Sequence, residues 1–297
     1  MITHQASFRH YPRHGPGYAC ENANVIEIVR ESASAAKAQV AIFDFDGTLS
    51  LIRSGWMEVM VPLCVEQLTA LQTGESEAEL RAAVEEFVWK LTGKETIYQM
   101  MALAAAVESR GGKPLDPVAY KKMYLDRLWL KIEGRIESLR MGSVPPEQYL
   151  VPGAKQFLES LRARGLRLYL ASGTDDANVK EEAALLGLAP FFEGRIYGAQ
   201  DDLSSFSKAL LVQQIVNRAG GLGGEQLLVF GDGYVEIEEV KKVGGVAVGL
   251  ATAEPDCLAI DEWKRQRLLS VGADFVIANF LQPELLWNAL FTAPVLV

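Results

Sequence analysis

Residues 40–50 read Val-Ala-Ile-Phe-Asp-Phe-Asp-Gly-Thr-Leu-Ser, an apolar run that ends in two acidic residues. A short apolar run bounded by turn residues predicts a buried strand, here from Val40 to Phe43. Asp44 and Asp46 follow at the carboxyl end of that strand, the edge at which open parallel sheets bind ligands. Buried carboxylates are costly unless a metal ion or hydrogen bonds compensate them. The stretch therefore predicts a functional site, and the alternative is an ordinary polar turn.

The rest of the chain divides into a helical block and an alternating block. From about residue 54 to residue 143 the pattern is helical throughout, with a Ser76-x-x-Glu79 capping-box signature before one helix and Asp116-Pro117 before another. After Pro145-Pro146, short apolar strands alternate with helices, as in βαβ units. We therefore predict an α/β fold with a Rossmann-like, doubly wound parallel sheet and an inserted all-α domain.

The expected domain boundaries follow from these changes of pattern. The segments are an N-terminal arm over residues 1–38, an α/β core domain over 39–53 and 149–297, and a helical cap domain over 54–148. The arm is expected to contain one short helix, from Asn24 to Ser32.

Composition argues against several classes of protein. The formal net charge is −9 and no basic block stands out, which argues against nucleic acid as a partner. No segment has the unbroken apolar length of a membrane span, and the first twenty residues lack the apolar stretch of a secretory signal. Three widely spaced cysteines are typical of reduced thiols in a cytoplasm. We therefore expect a cytoplasmic protein without a membrane partner, either a monomer or a homodimer.

The distribution of histidine limits the chemistry. His4, His10 and His14 are the three histidines of the chain, and all of them precede the predicted core. A Ser-His-Asp or Cys-His site would need a histidine from this terminal arm. We therefore expect carboxylates to perform the acid–base chemistry.

Three further segments carry candidate site residues. Ser172-Gly173 follows a predicted strand and offers a hydroxyl and turn amides to an anion, although such a turn is common. Lys208 lies near the start of a predicted helix, where a lysine would ordinarily face solvent. Asp232 ends another apolar strand, and Glu236 follows four residues later. Acidic oxygens in that arrangement suit Mg²⁺, while the alternative is that Asp232 caps the next helix.

The order of these motifs resembles the haloacid dehalogenase superfamily, specifically its phosphatase branch with a helical cap of the first insertion type. That branch includes phosphoglycolate phosphatase and beta-phosphoglucomutase-like enzymes. The resemblance covers residues 39–297. It implies Mg²⁺-dependent hydrolysis of a small phosphomonoester, such as a sugar phosphate or a phosphoglycolate-like metabolite, through an aspartyl-phosphate intermediate. A cap that closes over the site implies a small phosphorylated metabolite as partner rather than a phosphoprotein.

The resemblance also implies roles for the acidic residues. Asp44 would be the nucleophile, and Asp46 would act first as acid on the leaving group and then as base on water. Mg²⁺ would be held by the Asp44 carboxylate, the backbone carbonyl of Asp46 and the Asp232 carboxylate. Glu236 would contact the metal directly or through water. An aspartate is frequent at that last position, so the glutamate is a departure from the pattern.

The remaining roles concern the phosphoryl group and the leaving group. By the same resemblance, Ser172 and Gly173 would bind phosphoryl oxygens, and Lys208 would offset the negative charge around the nucleophile. Lys94, in the loop between two cap helices, and Arg53, at the hinge, are the candidate substrate contacts of the cap. Lys94 could instead end a helix and face water.

Two other activities share much of this pattern. A phosphosugar mutase has the same fold, cap and nucleophile, but it interconverts sugar phosphates without net release of phosphate. An aspartate-phosphorylated signalling module has acidic residues, a hydroxyl and a lysine on a parallel sheet, but the helical block would obstruct a kinase partner. A dehalogenase would have no use for Asp46 and Asp232.

Overall fold

A mostly parallel sheet organises the part of the chain that the computed structural model describes, residues 26–200, 207–218 and 223–292. Within these residues the strands are β1 (Glu27–Ile28), β2 (Val40–Phe43), β3 (Arg167–Asp175), β4 (Ile196–Ala199), β5 (Leu227–Gly231), β6 (Val246–Leu250) and β7 (Phe275–Ile277). Their order across the sheet is β1-β7-β6-β5-β2-β3-β4, and every adjacent pair is parallel except β1 with β7. The predicted α/β fold with a parallel sheet is confirmed.

Helices of the described residues fall into two groups. Four of them lie between β2 and β3 in the chain: α1 (Met57–Thr69), α2 (Glu77–Leu91), α3 (Thr96–Glu108) and α4 (Pro117–Arg140). The others alternate with the strands: α5 (Ala154–Ala163), α6 (Asp176–Leu185), α7 (Ala189–Phe192), α8 (Lys208–Arg218), α9 (Val235–Lys242), α10 (Glu262–Ser270) and α11 (Pro283–Phe291). None of these helices combines the length and the apolar character that crossing a membrane requires.

Strand β2 lies at the centre of the sheet, between β3 and β5. Its four residues are fully buried, and successive side chains enter different apolar clusters because a strand alternates its faces. Phe43 stacks on Phe230 of β5 with ring centroids 4.6 Å apart. Helices therefore cover both faces of the sheet, and the residues that follow β2 lie at the carboxyl edge of the sheet.

The predicted starts of two inserted helices are confirmed. The Ser76 hydroxyl accepts a hydrogen bond from the Glu79 amide at 3.3 Å, and the Glu79 carboxylate accepts one from the Ser76 amide at 2.8 Å. This reciprocal pair satisfies two amides that the helix itself leaves without partners. At the start of α4, the Asp116 carboxylate accepts from the Val118 amide at 2.8 Å, and Pro117 occupies the first turn.

The helix predicted over Asn24–Ser32 is wrong in the part that the structure describes. Glu27 and Ile28 instead form a short strand antiparallel to β7, with Glu27 opposite Val276. The edge of β7 offers unpaired backbone groups, and pairing there outweighs a weak local helical pattern. Arg265 adds two hydrogen bonds of 2.6 Å to the Glu27 carboxylate. The three histidines lie outside the described residues.

Candidate active site

The ends of β2 and β5 are joined by backbone hydrogen bonds at the site. The Asp44 amide donates to the Phe230 carbonyl at 2.9 Å, and the Asp232 amide donates to the Thr48 hydroxyl at 3.0 Å. Gly47 lies between them with φ of +75°, and a Cβ there would be 2.3 Å from Asp232 Oδ2. A side chain at this position would be strained and would displace the Asp232 carboxylate. The Asp-x-Asp-Gly-Thr sequence thus forms a turn that packs against the loop containing Asp232.

Lys208, at the start of α8, lies in a buried cluster with two carboxylates. Its Nζ is 2.6 Å from Asp44 Oδ1 and 3.4 Å from Glu236 Oε2, and the three side chains are at most 5% exposed. Burial raises the pKa of Asp44 well above its usual range, more than the nearby ammonium lowers it. Burial would lower the pKa of Lys208, but the two carboxylates raise it further, so the lysine stays charged. One ammonium therefore faces two acidic groups.

Asp46 is hydrogen-bonded to the carboxyl end of β3. Its Oδ2 accepts hydrogen bonds from the Thr174 hydroxyl at 2.8 Å and the Ser172 hydroxyl at 3.3 Å. Loss of water around the carboxyl raises the pKa of Asp46, while Arg53 and Thr174 oppose this more weakly. A raised pKa suits a group that must carry a proton to a leaving oxygen.

The carboxyl end of β3, residues 172–175, continues as strand where the sequence predicted a turn, and it lies beside the Asp46 loop. The Ser172 hydroxyl also accepts from the Thr174 amide at 3.0 Å, and β3 extends to Asp175 with a register irregularity against β4 after Ala171. Sequence reasoning named Ser172 and Gly173 but missed Thr174. Its signal was available, because residues two apart on an extended chain present their side chains on the same side.

A second lysine reaches the site from α10. Lys264 Nζ is 3.0 Å from Asp232 Oδ2 and 3.2 Å from Glu254 Oε1. Burial would lower the pKa of Lys264, but these two carboxylates raise it above its usual value. Sequence reasoning missed Lys264, because it lies 32 residues after Asp232 and no local motif marks it.

The oxygen atoms of the site suit a hard divalent cation. Asp46 Oδ1 and Glu236 Oε1 are buried and have no hydrogen-bond partner in the described part of the chain. In that part, no three acidic, histidine or cysteine side chains are arranged as a ready-made metal cage. Mg²⁺ does not need one, because it keeps several waters and takes one or two carboxylates. Asp44, Asp232 and the Asp46 carbonyl could supply that smaller set, with Glu236 adjacent.

Arg53 is paired within the protein at the edge of the site. Its guanidinium donates to the Glu182 carboxylate through Nε at 3.1 Å and Nη2 at 2.6 Å, and Nε is 4.0 Å from Asp46 Oδ1. Burial raises the pKa of Glu182 to about 6, against the opposing effect of Arg53. The sequence analysis did not identify Glu182, because it lies far from Arg53 in the chain and no motif connects the two residues. Both charges of the pair are nearly inaccessible to solvent.

Lys94 reaches the same cavity from the inserted helices. Its ammonium is 5.3 Å from the centre of the Tyr98 ring, a cation–π distance. The cavity is open to solvent, and its empty volume of about 740 Å³ includes the solvent at its mouth. Its lining combines the acidic residues and Lys208 with residues of the insertion, among them Trp56, Thr92, Gln99 and Tyr124. The site is thus enclosed between the sheet edge and the inserted helices.

Comparison with known proteins places the chain in a family. A model of the haloacid dehalogenase-like hydrolase family matches residues 38–244, more than half of the chain. The protein therefore belongs to the haloacid dehalogenase-like hydrolases, and it is an enzyme of that hydrolase class. No curated protein sequence matches it.

Solved structures share the fold at low sequence identity. One is described as a predicted phosphoglycolate phosphatase from Haemophilus somnus, with 17% identity, 84% of this chain and 97% of that chain covered, and a TM-score of 0.50. A haloacid dehalogenase-like protein of unknown function from Agrobacterium tumefaciens has 19% identity, coverages of 85% and 98%, and a TM-score of 0.51. A CbbY variant from Rhodobacter sphaeroides, in complex with xylulose-(1,5)bisphosphate, has 17% identity, coverages of 82% and 96%, and a TM-score of 0.52. Likeness at this level shows the fold alone.

Proposed function

We propose that the protein hydrolyses a small phosphomonoester in a Mg²⁺-dependent reaction with a phosphorylated Asp44 as intermediate. The observation that carries the proposal is the buried contact of 2.6 Å between Lys208 and Asp44, beside an Asp46 whose carboxyl is held by two hydroxyls. A nucleophile, a proton donor and a fixed cation then lie at one end of one cavity.

Asp44 is the group that attacks phosphorus, and its backbone is anchored to β5 by the amide hydrogen bond to Phe230. Lys208 holds one of its oxygens and so orients the carboxylate toward the cavity. Phosphoryl transfer depends mainly on such alignment and on charge stabilisation. The fixed ammonium also reduces the repulsion between Asp44 and an incoming phosphate dianion.

Asp46 transfers the proton. The Ser172 and Thr174 hydroxyls hold its Oδ2, and Oδ1 has no hydrogen-bond partner among the described residues, although Arg53 Nε lies 4.0 Å away. That oxygen protonates the leaving group when Asp44 becomes phosphorylated. It then takes a proton from the water that attacks phosphorus and frees Asp44.

The metal belongs to the same proposal. When bound, Mg²⁺ would be held by Asp44, the Asp46 carbonyl and Asp232, near Glu236, and would neutralise charge on the phosphoryl oxygens. Lys264 orients Asp232 through its contact with Oδ2. The Ser172 hydroxyl and the Gly173 amide bind phosphoryl oxygens that face away from the metal.

The substrate is proposed to be a sugar phosphate or a phosphoglycolate-like metabolite. Lys94 and Arg53 both line the cavity, and in this proposal they contact the leaving group. In this proposal residues 54–148 act as the cap domain and residues 39–53 and 149–297 as the core domain. The enzyme is a cytoplasmic monomer or homodimer that acts on a free metabolite, without nucleic acid as a partner.

A screen for phosphate release tests the proposal. Purified protein is incubated with Mg²⁺ and a broad panel of phosphorylated metabolites, and inorganic phosphate is measured. We expect release from at least one small phosphomonoester, abolished by EDTA and by Asp232→Asn. No release from any member would refute the phosphatase. Interconversion of sugar phosphates without release would assign the mutase activity instead.

A further inference from the structure

The loop between α2 and α3, residues 92–95, packs between the carboxyl end of β3 and the residues that follow β5. A Cβ on Gly93 would lie 2.9 Å from the Cα of Gly233, and a Cβ on Gly173 would lie 3.3 Å from the Lys94 carbonyl. Backbone therefore packs directly on backbone at both contacts. Gly173 lies in the carboxyl end of β3, next to Ser172, and Gly233 follows Asp232, so the loop contacts both sides of the site.

Glu95 is the last residue of this loop, and its side chain contacts the start of α8. Its Oε1 accepts a hydrogen bond of 3.0 Å from the Lys208 backbone amide, and the residue is 5% exposed. Lys208 is the first residue of α8. Amides of a first helical turn have no partner within the helix, and a carboxylate there also interacts favourably with the helix dipole. Glu95 thus caps a helix that belongs to another part of the fold.

The local role of Glu95 makes this contact specific. The residue occupies the N-cap position of its own helix, α3, but its side chain makes no capping hydrogen bond there. The carboxylate is directed to α8 instead. Lys94, the preceding residue, lines the cavity. Of these two adjacent residues, Lys94 therefore faces the cavity and Glu95 contacts the backbone of Lys208.

Lys208 is consequently held from two directions. Its ammonium is fixed by Asp44 and Glu236, and its backbone amide is fixed by Glu95. Because a side chain inherits the position of its own backbone, a displacement of the first turn of α8 changes the contact of 2.6 Å with Asp44.

We propose that Glu95 is a positioning residue that completes the placement of Lys208 when the loop of residues 92–95 is docked. Departure of the loop removes the carboxylate from the start of α8 and loosens the lysine. This inference deepens the proposed function and rests on it for its kinetic consequence.

Substitutions at Glu95 separate this role from simple structural support. Glu95→Ala removes the acceptor, whereas Glu95→Gln keeps an amide oxygen at the same position. With p-nitrophenyl phosphate as substrate, we expect Glu95→Ala to lower kcat by about tenfold to a hundredfold, the worth of a charge-assisted hydrogen bond, with KM changed by less than about threefold. Glu95→Gln should lose clearly less than Glu95→Ala, because its amide oxygen still accepts the hydrogen bond but carries no charge. Glu86→Ala, on the exposed face of α2, is the matched control and should match the wild type.

Amide hydrogen exchange provides a readout that does not depend on turnover. Glu95→Ala should speed exchange in peptides that cover the start of α8, while Glu86→Ala should not. If the wild type releases no phosphate, the proposed function fails, and the exchange experiment still decides whether Glu95 orders α8. Unchanged exchange in Glu95→Ala, wild-type kcat in that variant, or equal losses in the alanine and glutamine variants would overturn the inference.

Discussion

Lys208 bridges Asp44 and Glu236, with its Nζ 2.6 Å from Asp44 Oδ1 and 3.4 Å from Glu236 Oε2. The three side chains come from the end of β2 and the starts of α8 and α9, and all are buried. One ammonium against two carboxylates leaves the cluster with an uncompensated negative charge. That balance supports the proposal that a divalent cation accompanies the phosphate of the substrate.

Removal of Lys208 tests this charge balance. We expect Lys208→Met to lose at least about a hundredfold in kcat, because a fixed electrostatic group is lost. It should also lose about 3–5 kcal/mol in free energy of unfolding without metal, because Asp44 and Glu236 are left buried without their partner. Mg²⁺ should raise the Tm of this variant more than that of the wild type.

Thermal denaturation with and without Mg²⁺, together with steady-state kinetics, measures these effects. Lys242→Met is the control, because Lys242 pairs with Glu239 at the surface. It should leave both Tm and kcat nearly unchanged. A Lys208→Met variant that is as stable as the wild type without metal would contradict the charge balance.

The Arg53–Glu182 pair predicts a pH-dependent loss of stability. Burial raises the pKa of Glu182 to about 6 even beside Arg53, so the ionised form is the costly one in the folded state. Folding stability from this group is therefore present at acid pH and lost as pH rises through the folded pKa. Arg53→Met removes the opposing cation, so this pKa should rise further.

We expect Arg53→Met to cost about 3 kcal/mol near pH 8 and clearly less near pH 5.5, where Glu182 takes up a proton. Urea unfolding at the two pH values measures the difference. In the double variant Arg53→Met/Glu182→Gln the pH dependence of the loss should become clearly smaller, and the part that remains is the part due to Asp46. An equal loss for Arg53→Met at both pH values would argue against Glu182 as its cause.

Arg267 holds the end of α2 onto the α/β part. Its guanidinium donates to the carbonyls of Trp89, Lys90 and Thr92, and it lies over the Trp263 ring. We expect Arg267→Ala to raise KM by about tenfold, because the loop that covers the cavity loses these bonds. The Trp89–Trp263 contact, with ring centroids 4.2 Å apart, should loosen and change the tryptophan fluorescence.

Arg265→Ala is the matched control on the same helix, because Arg265 pairs with Glu27 and Glu262 and not with the insertion. It should leave KM and fluorescence as in the wild type. Equal kinetic effects of the two variants would mean that α10 acts only through overall stability.

Gly93 tests the close approach of the loop. Gly93 and Gly74 both have positive φ, of 93° and 86°, but a Cβ on Gly74 would meet no atom within 4 Å. Alanine at either position should cost about 1 kcal/mol of stability from backbone strain. Gly93→Ala should in addition lower kcat/KM by about tenfold, because its Cβ pushes against the Gly233 backbone. Equal kcat/KM in the two variants would show that activity does not depend on the close contact between Gly93 and Gly233.

Much of the architecture was predictable because local signals and global fold agree. Local sequence is sufficient to predict β2, β5 and β7 from their apolar runs. It is also sufficient to predict the helix caps at Ser76 and Asp116, because the residues that form each cap are close to each other in the chain. The strand at Glu27–Ile28 was missed because it depends on a free sheet edge contributed about 250 residues later in the chain. A pairing of that kind leaves no periodic pattern in the local sequence.

The residues of the candidate site likewise include some that the sequence predicts and some that it does not. Asp44, Asp46, Ser172, Gly173, Lys208, Asp232 and Glu236 were named from the order of strand ends, and the structure brings them to one edge of the sheet. Glu182, Lys264 and Glu95 were not named, because each acts through a partner that is remote in sequence. Their importance lies in buried charge pairs and helix caps that only the folded chain creates.

Trapping of the phosphorylated enzyme tests the central claim most directly. The Asp46→Asn variant is mixed with p-nitrophenyl phosphate and Mg²⁺, quenched in acid and digested. This leaving group needs no proton, whereas release of phosphate from the enzyme is slowed without the Asp46 base. Mass spectrometry should then find one phosphoryl group on the peptide that contains Asp44, and none when Asp44→Asn is added. A phosphoryl group on another residue, or an Asp44→Asn enzyme that still turns over at the wild-type rate, would contradict the account.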